Sequence, residues 1–201
     1  MSVILLDGIP GAGKSLMATK MIINGLKRHE YVIVNFPVNV KEKDREHCYY
    51  QNYDSWWNYP YGLIERIKQI RECSNRKITV YIDEAQVLFR SRDWCRPGRK
   101  EWLEFLQFHR HYYNLDVVLI AQSDRMLDKF VRGVLEEEHH CDRVDCLGVS
   151  GMLLSMFTLF RLHRCLKTYY SARNVRIGTT FYICSRKLRS FYNTYENFKI
   201  S

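Results

Sequence analysis

Gly8-Ile9-Pro10-Gly11-Ala12-Gly13-Lys14-Ser15 separates an apolar run, Val3 to Leu6, from a stretch of helical spacing, Leu16 to Arg28. The octet fits the pattern G-x-x-x-x-G-K-[ST] in the strand, loop, helix setting that the pattern requires. Its glycines let successive backbone N–H groups close around phosphate oxygens with no Cβ in the way. Lys14 is placed to reach the β and γ phosphates and the Ser15 hydroxyl to ligand Mg²⁺. The first amides of the helix, at Leu16, extend a site that the helix dipole already favours for anions. Gly8, Ile9, Pro10, Gly11, Ala12, Gly13, Lys14, Ser15 and Leu16 are therefore the predicted nucleoside triphosphate cradle. The alternative is an ordinary glycine-rich turn between strand and helix.

A phosphate loop that holds a metal ion needs an acid beside it. Ile78-Thr79-Val80-Tyr81-Ile82-Asp83-Glu84 supplies one, because a β-branched strand delivers acids at its carboxyl end. Asp83 is the candidate metal partner, direct or outer-shell, and Glu84 the candidate general base for an attacking water. The plainer reading of the pair is a surface turn. Tyr31 to Phe36, ended by Pro37, completes a βαβ unit, for which parallel pairing is the default. Leu63 to Cys73 reads as an amphipathic helix, and Trp102 to His109 as another, whose His109 and His111 point to different faces and make no metal pair. Val117 to Ala121 predicts a further buried strand. Gln122 at its tip would face the loop's crevice, either sensing the γ-phosphate or attacking water, or merely capping the next helix. That helix is predicted from Asp124 to Leu135 with Asp124 as N-cap. The predicted fold class is α/β, a P-loop NTPase with a mostly parallel sheet.

From Glu136 the pattern changes to alternation and short runs, so residues 1–135 read as the core and 136–201 as a small β-rich appendage packed on it. Tyr49, Tyr50, Tyr53, Trp56, Trp57, Tyr59 and Tyr61 crowd one polar segment, expected to pack over the sheet in preference to stacking nucleic-acid bases. Of the net charge of +9, residues 161–201 carry +8, with nine Lys or Arg against Glu196 alone. Such a segment suits a polyanionic neighbour, nucleic acid or an anionic membrane face, or else is a solvated basic surface. Seven cysteines, an odd number, argue against a disulfide framework and for a reducing compartment. The chain runs directly into its first strand, so no leader peptide is expected and a cytosolic start is. The run Met152 to Leu162 is too short and interrupted to span a bilayer. His139, His140, Cys141 and Cys146 lack zinc-ligand spacing.

A P-loop so early in the chain, Ile82-Asp83-Glu84-Ala85-Gln86, His109-Arg110-His111, Asp116 to Gln122, and Ser190-Phe191-Tyr192-Asn193-Thr194-Tyr195 together resemble the zonular occludens toxin amino-terminal domain family. That family includes the gene I type assembly ATPases of filamentous phages. The resemblance implies a membrane-anchored, Mg²⁺-dependent ATPase motor that drives assembly and extrusion of phage through the inner membrane. Expected with it are ATP, coat proteins and single-stranded DNA as partners, and a place on the cytoplasmic side of the bacterial inner membrane. The strand ending in Gln122 resembles the extra strand of the additional-strand, catalytic-glutamate branch of P-loop ATPases. Members of that branch form rings in which an arginine reaches the neighbouring subunit's γ-phosphate, and Arg110, Arg125 and Arg132 are the candidates here. Family members carry a transmembrane helix after this domain, which this sequence lacks, so a truncated domain or short paralogue is expected. Two other functions stay open: a nucleotide-gated assembly module with little turnover, and a P-loop small-molecule kinase.

Overall fold

The computed structural model describes residues 1–51, 59–90, 96–172 and 175–191. One sheet of eight strands runs through them, and its centre is built from runs that are apolar at nearly every position. β1 (Val3–Asp7), β4 (Ile78–Ile82) and β5 (Leu115–Ile120) are buried along their whole length, as strands covered on both faces must be. Alternate residues serve opposite faces. Val3, Leu5, Val80, Ile82, Val117 and Leu119 pack against α2 (Tyr61–Cys73) and α4 (Arg99–Phe108) through Leu63, Ile67, Ile70, Trp102, Phe105 and Leu106. Ile4, Leu6, Tyr81, Val118 and Ile120 pack on the other side against α1 (Lys14–Lys27) through Met17, Ala18, Ile22 and Leu26.

With β2 (Tyr31–Val34), β3 (Cys48–Tyr50), β6 (Glu137–Arg143), β7 (Leu162–Tyr169) and β8 (Arg176–Ile183), the strand order is β3-β2-β4-β5-β1-β6-β7-β8. Pairing is parallel from β3 to β6 and antiparallel from β6 to β8. The fold is therefore the α/β, mostly parallel one expected. β5 lies between the strand that feeds the P-loop and the strand that ends in Asp83-Glu84, which is the additional-strand arrangement. The β-rich segment after residue 135 enters this same sheet, since β6 pairs directly with β1.

Several local expectations change. The helix predicted from Asp124 to Leu135 is two pieces, a 3₁₀ turn (Asp124–Met126) and α5 (Lys129–Val134). Leu127 between them is fully buried and bridges Arg90, which holds the backbone extended. The caps are accordingly Ser123 and Asp128, whose side chains accept from the Arg125 and Phe130 amides, in place of Asp124. The short edge strand β3 was not predicted at all. Of the aromatic crowd, Tyr49 packs partly against the core, whereas Tyr50, Tyr59 and Tyr61 are exposed; Tyr53, Trp56 and Trp57 lie outside the described residues. The apolar run after Gly148 forms α6 (Gly148–Phe157), and no helix among the described residues is long and apolar enough to cross a membrane. A last short helix, α7 (Arg186–Phe191), follows β8.

Candidate phosphate-binding and catalytic site

The loop leaves β1 through Gly8 and enters α1 through Gly13, both at positive φ, 139° and 94°. Neither position has room for a side chain. A Cβ on Gly8 would lie 2.4 Å from the Cys141 carbonyl oxygen, and one on Gly13 2.7 Å from His163 Nδ1. Contacts closer than van der Waals distance, in a backbone region that L-residues avoid, explain both glycines without appeal to a ligand. Between them the Ala12 amide donates to the Ile9 carbonyl at 3.0 Å, and Lys14 Nζ donates to the Gly8 and Ile9 carbonyls at 2.7 and 3.2 Å. The ammonium is thereby held across the mouth of the loop, where an anionic oxygen would compete for it.

The acids come from the end of β4. Asn35, buried just beyond β2, clamps Asp83 from both sides: its carboxamide oxygen accepts from the Asp83 amide at 2.7 Å and its nitrogen donates to the Asp83 carbonyl at 3.1 Å. The Asp83 carboxylate accepts the Glu84 amide at 2.9 Å. Glu84 sits in the left-handed region, φ 51° and ψ 41°, at the start of the short helix α3 (Ala85–Leu88), and its carboxylate accepts from Gln86 Nε2. For a side chain other than Gly this conformation costs about 1 kcal/mol or more.

A cavity of about 850 Å³ joins these pieces, lined on one side by Gly11, Gly13, Lys14, Ser15 and Leu16 and on the other by Asp83, Glu84 and Gln122. Gln122, at the carboxyl tip of β5, is exposed there; the Ser123 side chain does the capping. The three arginine candidates are not among the lining residues. Arg110 pairs with Glu136, whose amide bonds the Val3 carbonyl at the opposite end of β1 from the loop. Arg125 is exposed on the 3₁₀ turn after Gln122, and Arg132 lies half-buried on α5.

The arginines that do line the cavity are Arg143 and Arg189, from the carboxyl-terminal part of the chain, and they come with residues that grip the loop itself. His163 Nδ1 donates to the Ala12 carbonyl at 3.0 Å and the Tyr182 hydroxyl to the Gly13 carbonyl at 3.1 Å, the two rings stacked with centroids 5.4 Å apart. Burial pushes the His163 imidazole below its ordinary pKa, which favours the neutral ring. Burial raises the Tyr182 phenol. His140 beside β1 behaves oppositely. Its Nδ1 and Nε2 meet Asp7 at 2.9 Å and Asp142 at 3.1 Å, and the hydrogen bond to Asp7 leads in raising it to about 9. Sequence reading missed Asn35, His140, Arg143, His163, Tyr182 and Arg189, because no local motif marks any of them.

Comparison with known proteins rests on this geometry. The family model for zonular occludens toxin (Zot) matches residues 2–176. The chain belongs to the Zot family. No curated protein matches it in sequence. Among solved structures, the Zot-family fold is similar to the N-terminal domain of zonular occludens toxin from Neisseria meningitidis (TM-score 0.61, 17% identity, covering 96% of this chain and 98% of that one). It is similar also to the genome packaging NTPase B204 from Sulfolobus turreted icosahedral virus 2, solved with ATP-gammaS (TM-score 0.55, 14% identity, 90% and 96% covered). A third likeness is to EssC (ATPases 2 and 3) from Geobacillus thermodenitrificans, a longer chain (TM-score 0.55, 12% identity, 90% and 39% covered). At these identities the likenesses establish the P-loop NTPase fold.

Proposed function

We propose that this Zot-family chain hydrolyses ATP and uses the cycle as a motor for assembling and extruding filamentous phage through the bacterial inner membrane. The observation that carries the hydrolysis is that exposed Glu84 lines the same cavity as Gly11, Gly13, Lys14, Ser15 and Gln122. The γ-phosphate would lie against Lys14, and Glu84 would take the proton of the water that attacks it as the bond to the ADP oxygen breaks. Gln122, which lines the same cavity, would orient that water. Ser15 and Asp83 contribute hard oxygen donors to one cavity, a set that suits Mg²⁺. Bound there, the ion would neutralise charge on the β and γ oxygens.

The motor part of the reading draws on the family and on the basic segment. A genome packaging NTPase among similar folds and the +8 of residues 161–201 both favour work on a polyanion, single-stranded DNA with coat protein, at the cytoplasmic face of the membrane. Ring assembly would bring an arginine of one subunit to the next subunit's site, with exposed Arg125 the candidate nearest Gln122 in the chain.

ATP turnover measured against protein concentration, with and without single-stranded DNA, tests this. Lys14→Ala should lose nucleotide binding, and Glu84→Gln should keep binding while turnover falls by roughly 10²-fold or more. Wild-type-like turnover in both variants would overturn the reading. Binding without hydrolysis in the wild type, in every oligomeric state and with DNA present, would replace it with the nucleotide-gated assembly module.

A further inference from the structure

Helix α6 carries its small residues inward and its large ones outward. Gly151 and Ser155 are buried against the body, and a Cβ on Gly151 would lie 2.2 Å from the Val144 carbonyl oxygen. The large side chains face away from the protein: Val149 is 78% exposed, Leu153 57% and Phe157 89%, with Met152, Leu154 and Met156 exposed beside them. Leu159, in the turn that follows, extends the same surface, whereas Phe160 beside it lines the cavity of the candidate site. No charged residue occurs from Leu147 to Phe160. Contiguous apolar exposure on this scale marks an interaction surface. Because it runs around most of the helix, the helix suits an apolar medium more than a single facing groove.

The base of the helix has the opposite character. Arg161 follows it and is exposed, and the Arg161 carbonyl accepts from the Cys184 amide, which brings the start of α7 with exposed Arg186 near the same end of the helix. The acids at this base are each matched to an arginine, Asp145 to Arg143 and Asp142 to Arg164. An uncharged apolar helix with exposed arginines beside its end is complementary to an anionic lipid surface, cations at the headgroups and side chains among the acyl chains. With Gly151 and Ser155 held against the body, the helix lies along the protein surface and offers its apolar flank to the headgroup/acyl boundary, at a depth of about 5–10 Å.

We propose that α6 inserts its apolar flank into a single leaflet of an anionic bilayer. This deepens the membrane setting proposed above but stands on α6 alone, so it can fail while the ATPase reading holds, and the reverse.

Flotation of the whole chain with phosphatidylglycerol/phosphatidylethanolamine vesicles, and with phosphatidylcholine vesicles, at ~0.1 M and ~1 M salt tests it. The wild type should float with the anionic vesicles and keep part of that binding at high salt, since apolar insertion is not screened. The double variant Leu153→Asp/Phe157→Asp should lower the bound-to-free ratio by at least ~tenfold while its affinity for a fluorescent ATP analogue, which reports folding, stays unchanged. Tyr61→Asp, exposed on α2, should float like the wild type. Equal flotation of the double variant would overturn the proposal in favour of the basic segment alone. Self-association of the wild type that the double variant abolishes, without flotation of either, would make a second copy of the chain the occupant.

Discussion

His140 shows how single residues tie the loop to the rest of the sheet. Opposite Asp7 in the β1–β6 register and bonded to Asp7 and Asp142, its imidazolium is favoured in the fold, and its pKa rises from 6.5 to about 9. A raised folded pKa stabilises the protein fully below the unfolded value and less as pH climbs through the folded one. The stability difference between wild type and His140→Gln, followed by urea unfolding from pH 6 to 10, should therefore be largest near pH 6 and shrink through about 9. A pH-independent difference would show that His140 contributes packing alone. The placement of Lys14, Ser15, Asp83, Glu84 and Gln122 around one cavity was legible in the sequence because Lys14 and Ser15 close a glycine-spaced octet after β1 and the other three stand at the ends of apolar strands. His140, His163 and Tyr182 were not, because they are defined by partners more than 130 residues away, and a polar residue in a strand looks alike whether it serves a site or solvent.

At the scale of elements, helical periodicity located α1, α2 and α4, since each buries one face on the sheet. It misplaced α5 because Leu127 supplies an apolar position that suits a helix yet is spent on an extended bridge to Arg90. Asp128 restarts the helix and is also the buried partner of Arg99, accepting from its Nε and Nη2 at 3.1 and 2.9 Å. Asp128→Ala removes the cap and leaves a largely buried guanidinium without this carboxylate, so it should cost about 2–4 kcal/mol in urea unfolding. Asp128→Asn keeps a capping oxygen and should cost less. Equal loss in the two variants would assign the whole effect to the ion pair. α6 escaped the same reasoning for a different cause: its apolar residues do not face the core, so the spacing that identifies a packed face has nothing to report.

Over the whole molecule the sheet matters more than the boundary that composition suggests. Residues 1–135 hold the phosphate-loop, Asp83-Glu84 and Gln122 motifs, and the basic, β-rich remainder reads as an addition to them. Yet β6 covers the edge of β1, the strand from which the phosphate loop springs, and His163 and Tyr182 hold the Ala12 and Gly13 carbonyls from β7 and β8. A chain cut after residue 135 would expose the backbone groups of β1 along the whole edge it now shares with β6, an open edge that invites association. It would also lose both hydrogen bonds that fix the loop's second half. The fragment 1–135 should therefore aggregate or bind a fluorescent ATP analogue at least ~tenfold more weakly than residues 1–201, because a loop that must be ordered on binding gives up affinity. Tyr182→Phe in the whole chain isolates the second effect: the sheet stays closed, one loop bond is lost, and affinity should fall by a few-fold, in line with about 1 kcal/mol for a single hydrogen bond. If the fragment stays monomeric and binds as tightly as the whole chain, the loop is ordered by β1 and α1 alone, and the later strands do not contribute to its order.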